Sequence, residues 1–317
     1  MGASLLTLVQ RASRELGLPV PPTVAGSTDT QTQQLFGLAN AVGEDLLSEA
    51  EWTALMTQAI INVEVPWQGT GDTTANDATV TNLVDGVTPL AIVSPVTNYI
   101  LIGNGIQVAS RVLTNSAPGT VTVDMNATAT ATGQAFTLAR DTYAVPADFV
   151  TFMNRTQWDR TNHWELIGPM SPQENQWVMS GIVTTGPRRR FRQVGRGVDV
   201  FRIWPPPTAN DTPSTLSYEY VSSYWASDSA GTPQAAFVYD TDTCVYDDRL
   251  MIAGIKYMYF ASKGFEASRL ERDYRNYLQT SIGRDGGGAT LNMSRSRWPI
   301  FISPASVQDG NFPGSTP

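Results

Sequence analysis

Four carboxylates, Asp240, Asp242, Asp247 and Asp248, crowd into one short stretch of the chain. Neighbouring carboxylates can do acid–base work or hold a hard cation. A pair such as Asp247 and Asp248 would suit cleavage of a cell-wall glycan. The spacing lacks the calcium-loop pattern, however, and the stretch stands directly ahead of a long helical pattern. Negative groups are favoured there by the helix dipole and as caps, so capping is the reading for these residues. The second concentration of charge is basic: Arg188, Arg189, Arg190, Arg192, Arg196 and Arg202, against one Asp199. On a strand Arg188, Arg190 and Arg192 share a face, and Arg189 shares the other with Phe191. Such a row suits an acidic partner, passing phosphate, or carboxylates of the same chain or a symmetry mate. Because the molecule as a whole is acidic, Arg188, Arg189, Arg190, Arg192 and Arg196 are read as a subunit or partner interface.

Little else in the sequence points to a reaction. Cys244 and His163 are the sole residues of their types. A disulfide within the chain, a thiolate cluster and a multi-histidine metal site are therefore excluded, and few routes to a triad remain. Gly103-Asn104-Gly105 lacks the third glycine and the following helix of a dinucleotide loop, and Lys263-Gly264 reverses the phosphate-loop order. No catalytic residue, cofactor or metal site is expected.

Acidic residues number 29 and basic residues 21, a formal charge of −8. The imbalance is concentrated in residues 1–140, which hold four Arg, no Lys and eleven Asp or Glu. A general nucleic-acid-coating role is disfavoured by that charge. Only Lys256 and Lys263 are lysines, and an arginine bias fits directional ion pairs at interfaces. No run approaches membrane-spanning length, and the N-terminal apolar residues are interleaved with Gln10, Arg11, Arg14 and Glu15, unlike a signal peptide. Assembly in a cytoplasmic compartment, with no membrane partner, is the expectation.

The elements that would carry these residues read as α+β. An amphipathic helix is predicted over Ser4 to Leu16, a second from Asp29 or Thr30 through Leu46, and a third opened by Ser48-Glu49-Ala50-Glu51 as a capping box. The third would bury Trp52, Leu55, Met56, Ala59, Ile60 and Val63. The long pattern from Asp247 to Arg284 is either one helix kinked at Gly264 or two joined helices. Together these predict a helical bundle, made of residues 1–67 and 247–285. Residues 68–140 are Thr-rich and lack helical periodicity, with β-prone runs at Tyr99–Ile102, Ile106–Leu113, Thr120–Met125 and Ala135–Leu138. They read as an inserted antiparallel β module, with the Ala-Thr alternation of Ala127–Thr132 at a hairpin edge. Residues 141–246 read as a β-rich domain with one short helix opened by Ser171-Pro172-Gln173-Glu174, packed through Trp177 and Val178. A hairpin is expected around Gly195-Arg196-Gly197, flanked by Arg188–Val194 and Val198–Trp204. Residues 286–317 read as an extended arm, and its apolar cluster, Trp298-Pro299-Ile300-Phe301-Ile302, reads either as part of a disordered tail or as a strand added to a neighbour.

Taken in order, several stretches resemble the neck, or head-to-tail adaptor, proteins of tailed bacteriophages, the tail tubular protein A-like group. They are Thr30-Gln31-Thr32-Gln33-Gln34-Leu35 through Trp52, Val145-Pro146-Ala147-Asp148-Phe149, Trp158-Asp159-Arg160-Thr161, and Gly168-Pro169-Met170-Ser171-Pro172-Gln173-Glu174. Gly186-Pro187-Arg188 with Phe191-Arg192, and Asp240-Thr241-Asp242-Thr243, complete the set. The resemblance covers residues 1–67 and 141–285, while 68–140 depart from it. It implies a structural virion protein at the head–tail junction: a homo-oligomeric ring, commonly of twelve subunits, between the portal protein and the tail nozzle or tube, with tail fibres as a further partner. Double-stranded DNA would pass through the channel without specific binding, and an acidic wall would keep it from sticking. By the same resemblance Arg295, Arg297, Trp298, Ile300 and Phe301 of the arm would dock on the portal. Two other readings compete, a peptidoglycan-degrading virion hydrolase using Asp247 and Asp248, and a glycan- or fibre-binding role for 68–140. The module's scarcity of aromatics beyond Tyr99 and Phe136 weighs against sugar stacking.

Overall fold

The computed structural model describes residues 2–92, 95–180, 189–195, 199–208 and 214–285. The chain begins with helices α1 (Leu5–Leu16) and α2 (Thr30–Glu49), followed by strand β1 (Met56–Asn62). Next come β2 (Trp67–Thr73), β3 (Thr79–Asp85), β4 (Thr88–Pro89), β5 (Tyr99–Gly103), β6 (Val112–Ala117), β7 (Thr120–Val123) and β8 (Ala131–Arg140). Strands β9 (Thr142–Ala144), β10 (Phe149–Phe152), β11 (Trp158–Asp159) and β12 (Trp164–Glu165) lead to α3 (Pro172–Met179). Then follow β13 (Arg190–Gly195), β14 (Asp199–Trp204), β15 (Thr215–Ser222), and the short β16 (Ala226–Ser227), β17 (Pro233–Gln234) and β18 (Thr243–Cys244). Helices α4 (Asp248–Ser262) and α5 (Ser268–Asp285) close the described chain. The class is mixed α+β, and the described residues pack as two compact units. One comprises 2–58, 147–153 and 219–285, the other the described parts of 59–146 and 154–218.

The first unit is organised on α4, against which α1, α2 and α5 each pack. Local sequence sets the helix starts. Ser4 accepts the Thr7 N–H, Asp29 that of Thr32, and Asp247 those of Arg249 and Leu250, each satisfying otherwise orphaned donors. Leu5, Leu8, Val9 and Ala12 of α1 meet Leu250, Met251 and Ile255 in one core that also takes in Leu35, Ala39, Val42 and Leu46 of α2. Trp225 lies fully buried there, edge-on to Phe237 and stacked with Tyr246. Gly264, at φ 71°, takes the left-handed conformation that ends α4's turn, so the long C-terminal pattern is two helices.

A third N-terminal helix does not form. Helix α2 continues through Ser48, whose hydroxyl donates back to the Asp45 carbonyl instead of capping a new helix. A short 3-10 turn, Thr53–Leu55, follows, and the β-branched Ile60 and Ile61 then join β1 beside β15. Of the expected stripe, Trp52, Leu55 and Val63 are buried while Ile60 is exposed.

In the second unit β2 to β8 make a seven-stranded antiparallel sheet of order β5-β8-β2-β3-β7-β6, with β4 paired to β3. Alternate residues Val80, Leu83, Leu101, Val121, Val123, Phe136 and Leu138 share its core. The run expected as a strand over Ile106–Leu113 is mostly turn, because Gly105 and Ala109 both sit at positive φ and pairing resumes only with the Arg111 bridge to Ile100 and with β6. Of the Ala127–Thr132 alternation only Ala131 and Thr132 enter a strand; Ala127 is buried and bonds to Asp77 and Asn76 in a loop. Ile100 and Ala139 of this sheet pack with Met170, Val178 of α3 and Trp204 of β14. Helix α3 starts as expected, with Ser171 capping Glu174, but it packs through Val178 with Met179 beside it, while Trp177 is exposed. A three-stranded sheet β13-β14-β9 and the pairing of β11 with β12 and the start of β15 complete the unit.

Candidate interaction surface

The four clustered carboxylates are all consumed by structure. Asp240 accepts the backbone N–H groups of Val24 and Ala25, at 2.9 and 2.7 Å. Asp242 is fully buried; its Oδ2 accepts Val238 and Tyr239 N–H, while Oδ1 has no hydrogen-bond partner among the described residues. Asp247 caps α4, and Asp248 accepts the Ala3 N–H at 2.8 Å and pairs with Arg11 at 3.3 Å. Asp247 and Asp248 are thus engaged by separate backbone partners, which is not the arrangement of a glycan-cleaving pair. Among the described residues no group of His, Cys, Asp or Glu is placed to hold a metal ion. Cys244 is buried, and burial pushes its thiol up to about 12. His163 is exposed in a turn at φ 58°.

The arginine row is built by strand alternation. Strands β13 and β14 pair antiparallel with Phe191 opposite Ile203, Arg192 opposite Arg202 and Arg190 opposite Trp204. Phe191, Phe201 and Ile203 are buried, and Phe201 stacks between Phe191 and Tyr218 with ring centroids 5.3 Å apart on each side. With that face committed to the core, period-two alternation turns Arg190, Arg192 and Arg202 to the opposite face. Arg190 pairs with Glu174 of α3. Arg189, on the aromatic side, donates to the Ser214 hydroxyl at 2.8 Å and lies 3.9 Å from Asp159. Arg188 and Arg196 lie outside the described residues, as do Arg295, Arg297, Trp298, Ile300 and Phe301.

Arg202 enters a network that its neighbours in sequence do not announce. Asp141, fully buried, takes two hydrogen bonds from Arg111, at 3.0 and 2.5 Å, with Arg202 Nε 3.9 Å from its Oδ2. Thr142 donates to Asp141 at 2.7 Å and accepts from Arg202 at 3.3 Å. Burial, then the Arg111 charge, pull the Arg202 guanidinium below its ordinary value. Beside it the Arg192 side chain has no hydrogen bond and no carboxylate within ion-pair distance among the described residues. Arg111 and Arg202 therefore share one carboxylate, and Arg192 stands opposite Arg202 without one. Sequence reasoning missed Arg111, Asp141 and Thr142, because thirty residues separate Arg111 from Asp141 and only the pairing of distant strands joins them.

On this sheet face Arg190 is paired with Glu174 and Arg202 lies beside Asp141, with Arg192 between them. The chain matches the SU10 adaptor protein family over residues 101–299. It belongs to that family. The match spans more than half of the sequence, including β13, β14, both C-terminal helices and Arg295, Arg297 and Trp298. It also takes in residues 101–140, part of the stretch that the motif pattern sets outside the resemblance. No curated protein matches the chain. As an SU10-type adaptor it is a phage structural component of the virion. Among the described residues no helix is long and apolar enough to cross a membrane.

Proposed function

We propose that this adaptor forms a ring, of twelve subunits by the neck-protein resemblance, that joins the portal to the tail nozzle or tube and closes the DNA-filled head. The observation that carries this reading is the family match over 101–299. The match runs to Pro299, so Arg295, Arg297 and Trp298 fall inside it, while Ile300 and Phe301 lie just beyond its end. By the neck-protein resemblance Arg295, Arg297, Trp298, Ile300 and Phe301 are assigned to the portal contact. Arg188, Arg189, Arg190, Arg192 and Arg196 are assigned to contacts within the ring or with its neighbours. A net charge of −8 per subunit supports a channel that repels duplex and lets it slide.

The test is electron microscopy of particles carrying a label on this chain, alongside a variant lacking residues 289–317. Label at the portal–tail junction, lost on truncation while the truncated chain stays folded, is the expected result. Label absent from intact particles would defeat the reading, and unchanged attachment of the truncated chain would defeat the arm assignment.

A further inference from the structure

We propose that Arg192 receives a carboxylate from the acidic C-terminal end of α2 of a second copy of this chain, joining copies head to tail. The inference rests on the ring reading above and assigns its contact. Two independent features lead to it. The first is the like-charged cross-strand pair Arg192–Arg202: Asp141, the carboxylate beside Arg202, is already held by Arg111, and the Arg192 side chain has no carboxylate within ion-pair distance among the described residues. Like charges directly opposite on paired strands repel, so this face is electrostatically incomplete. The second is on α2, where Glu44, Asp45 and Glu49, with Glu51 just beyond, are exposed. No lysine or arginine lies in α2's last turn, and none of these four acids has an ion pair among the described residues. Acids at a helix C-terminus oppose the dipole, so this end also lacks a counter-charge.

The two features are complementary in sign and lie on different elements. A contact between them is therefore heterologous, the kind that closes into a ring when the rotation between copies allows. A duplex is the poorer occupant of Arg192, because residues 1–140 carry eleven acids against four arginines and would repel phosphate.

The test uses charge reversal, because each reversal is expected to relieve the isolated subunit. Arg192→Glu places a carboxylate opposite Arg202, and Glu44→Arg with Glu49→Arg places cations at the end of α2. Neither should lower the thermal midpoint. Sedimentation velocity of the full chain at low salt should show wild-type self-association that weakens as salt rises. Each reversed protein should associate at least about ten-fold more weakly, the scale of one close interfacial charge pair. An equimolar mixture of the two should recover association, since every contact then joins opposite charges. Wild-type chain that stays monomeric, reversed proteins that associate like wild type, or a mixture that fails to recover would each overturn the pairing. Retention of a short labelled duplex by wild type but not by Arg192→Glu, with association unchanged, would give Arg192 to phosphate and overturn it too. Labelling at the particle neck tests the ring reading separately, so a ring found there with association indifferent to both reversals refutes only this contact.

Discussion

The same substitution at two glycines of α2 should move stability in opposite directions. Gly37 and Gly43 both lie inside the helix, so replacing either by alanine gains about 1 kcal/mol of helix propensity. At Gly37 an added Cβ meets nothing within 4 Å. At Gly43 it would lie 2.3 Å from two ring carbons of Trp225 and 2.6 Å from a third. That ring cannot step aside: it is fully buried, edge-on to Phe237 at 4.9 Å and stacked with Tyr246, whose hydroxyl donates to the Gly43 carbonyl. Overpacking a core in this way costs about 1–3 kcal/mol. Because the propensity gain is common to both sites, the difference between the variants isolates the overpacking cost. Thermal unfolding followed by circular dichroism should place Gly37→Ala above wild type. Gly43→Ala should lie below Gly37→Ala by that 1–3 kcal/mol, at about 2–4 °C for each kcal/mol. Near-ultraviolet signals from Trp225 should change only in Gly43→Ala. Equal shifts in the two variants, or Gly43→Ala rising with its tryptophan signal intact, would show that α2 and Trp225 do not meet as described.

Two further expectations test the charged interior and the helix contacts. Asp141→Asn leaves Arg111 and Arg202 sharing no carboxylate, and breaking a buried pair by removing one partner costs about 3–5 kcal/mol. Denaturant unfolding should show that loss, and a loss below about 1 kcal/mol would remove the network from the list of things holding the β-rich unit together. Glu15 accepts from Lys256 at 2.6 Å and Arg249 at 2.9 Å, and chiefly the Lys256 contact holds its carboxyl below the ordinary glutamate range. A depressed carboxylate adds stability above its unfolded value that is lost as pH falls through the folded one, so the advantage of wild type over Glu15→Gln should shrink on acidification. Its size should stay below about 1 kcal/mol because the pair is partly exposed, and an advantage that grows with acid would contradict the contact.

Where a single residue type dictated local geometry, the sequence was informative. Ser4, Asp29, Ser171 and Asp247 each cap the helix their position announces. The alternation around Phe191 placed the arginines on strands before any coordinates did. The failures share a cause, which is competition from distant partners. Ser48-Glu49-Ala50-Glu51 has the letters of a capping box, yet Ser48 finds a carbonyl inside the existing helix and Ile60 and Ile61 find β15. Trp177 has the size of an anchor, but α3 turns Val178 and Met179 to the cluster and leaves Trp177 exposed. The Arg111–Asp141 pair had no local signal at all.

How each charge is satisfied argues about role more strongly than where charges cluster in sequence. The acids that look most catalytic, Asp240, Asp242, Asp247 and Asp248, are each bonded by backbone N–H groups that fix loops or start a helix. Freeing any one for proton transfer would orphan those donors at a cost of about 1–3 kcal/mol. The groups without such bonds among the described residues, half-buried Arg192 and the exposed acids ending α2, lie on different elements. Catalysis calls for the reverse arrangement, with unsatisfied titratable groups brought together in a concave, water-poor site. Incomplete charge on separate elements is instead what a subunit needs when its counter-charges arrive on another polypeptide.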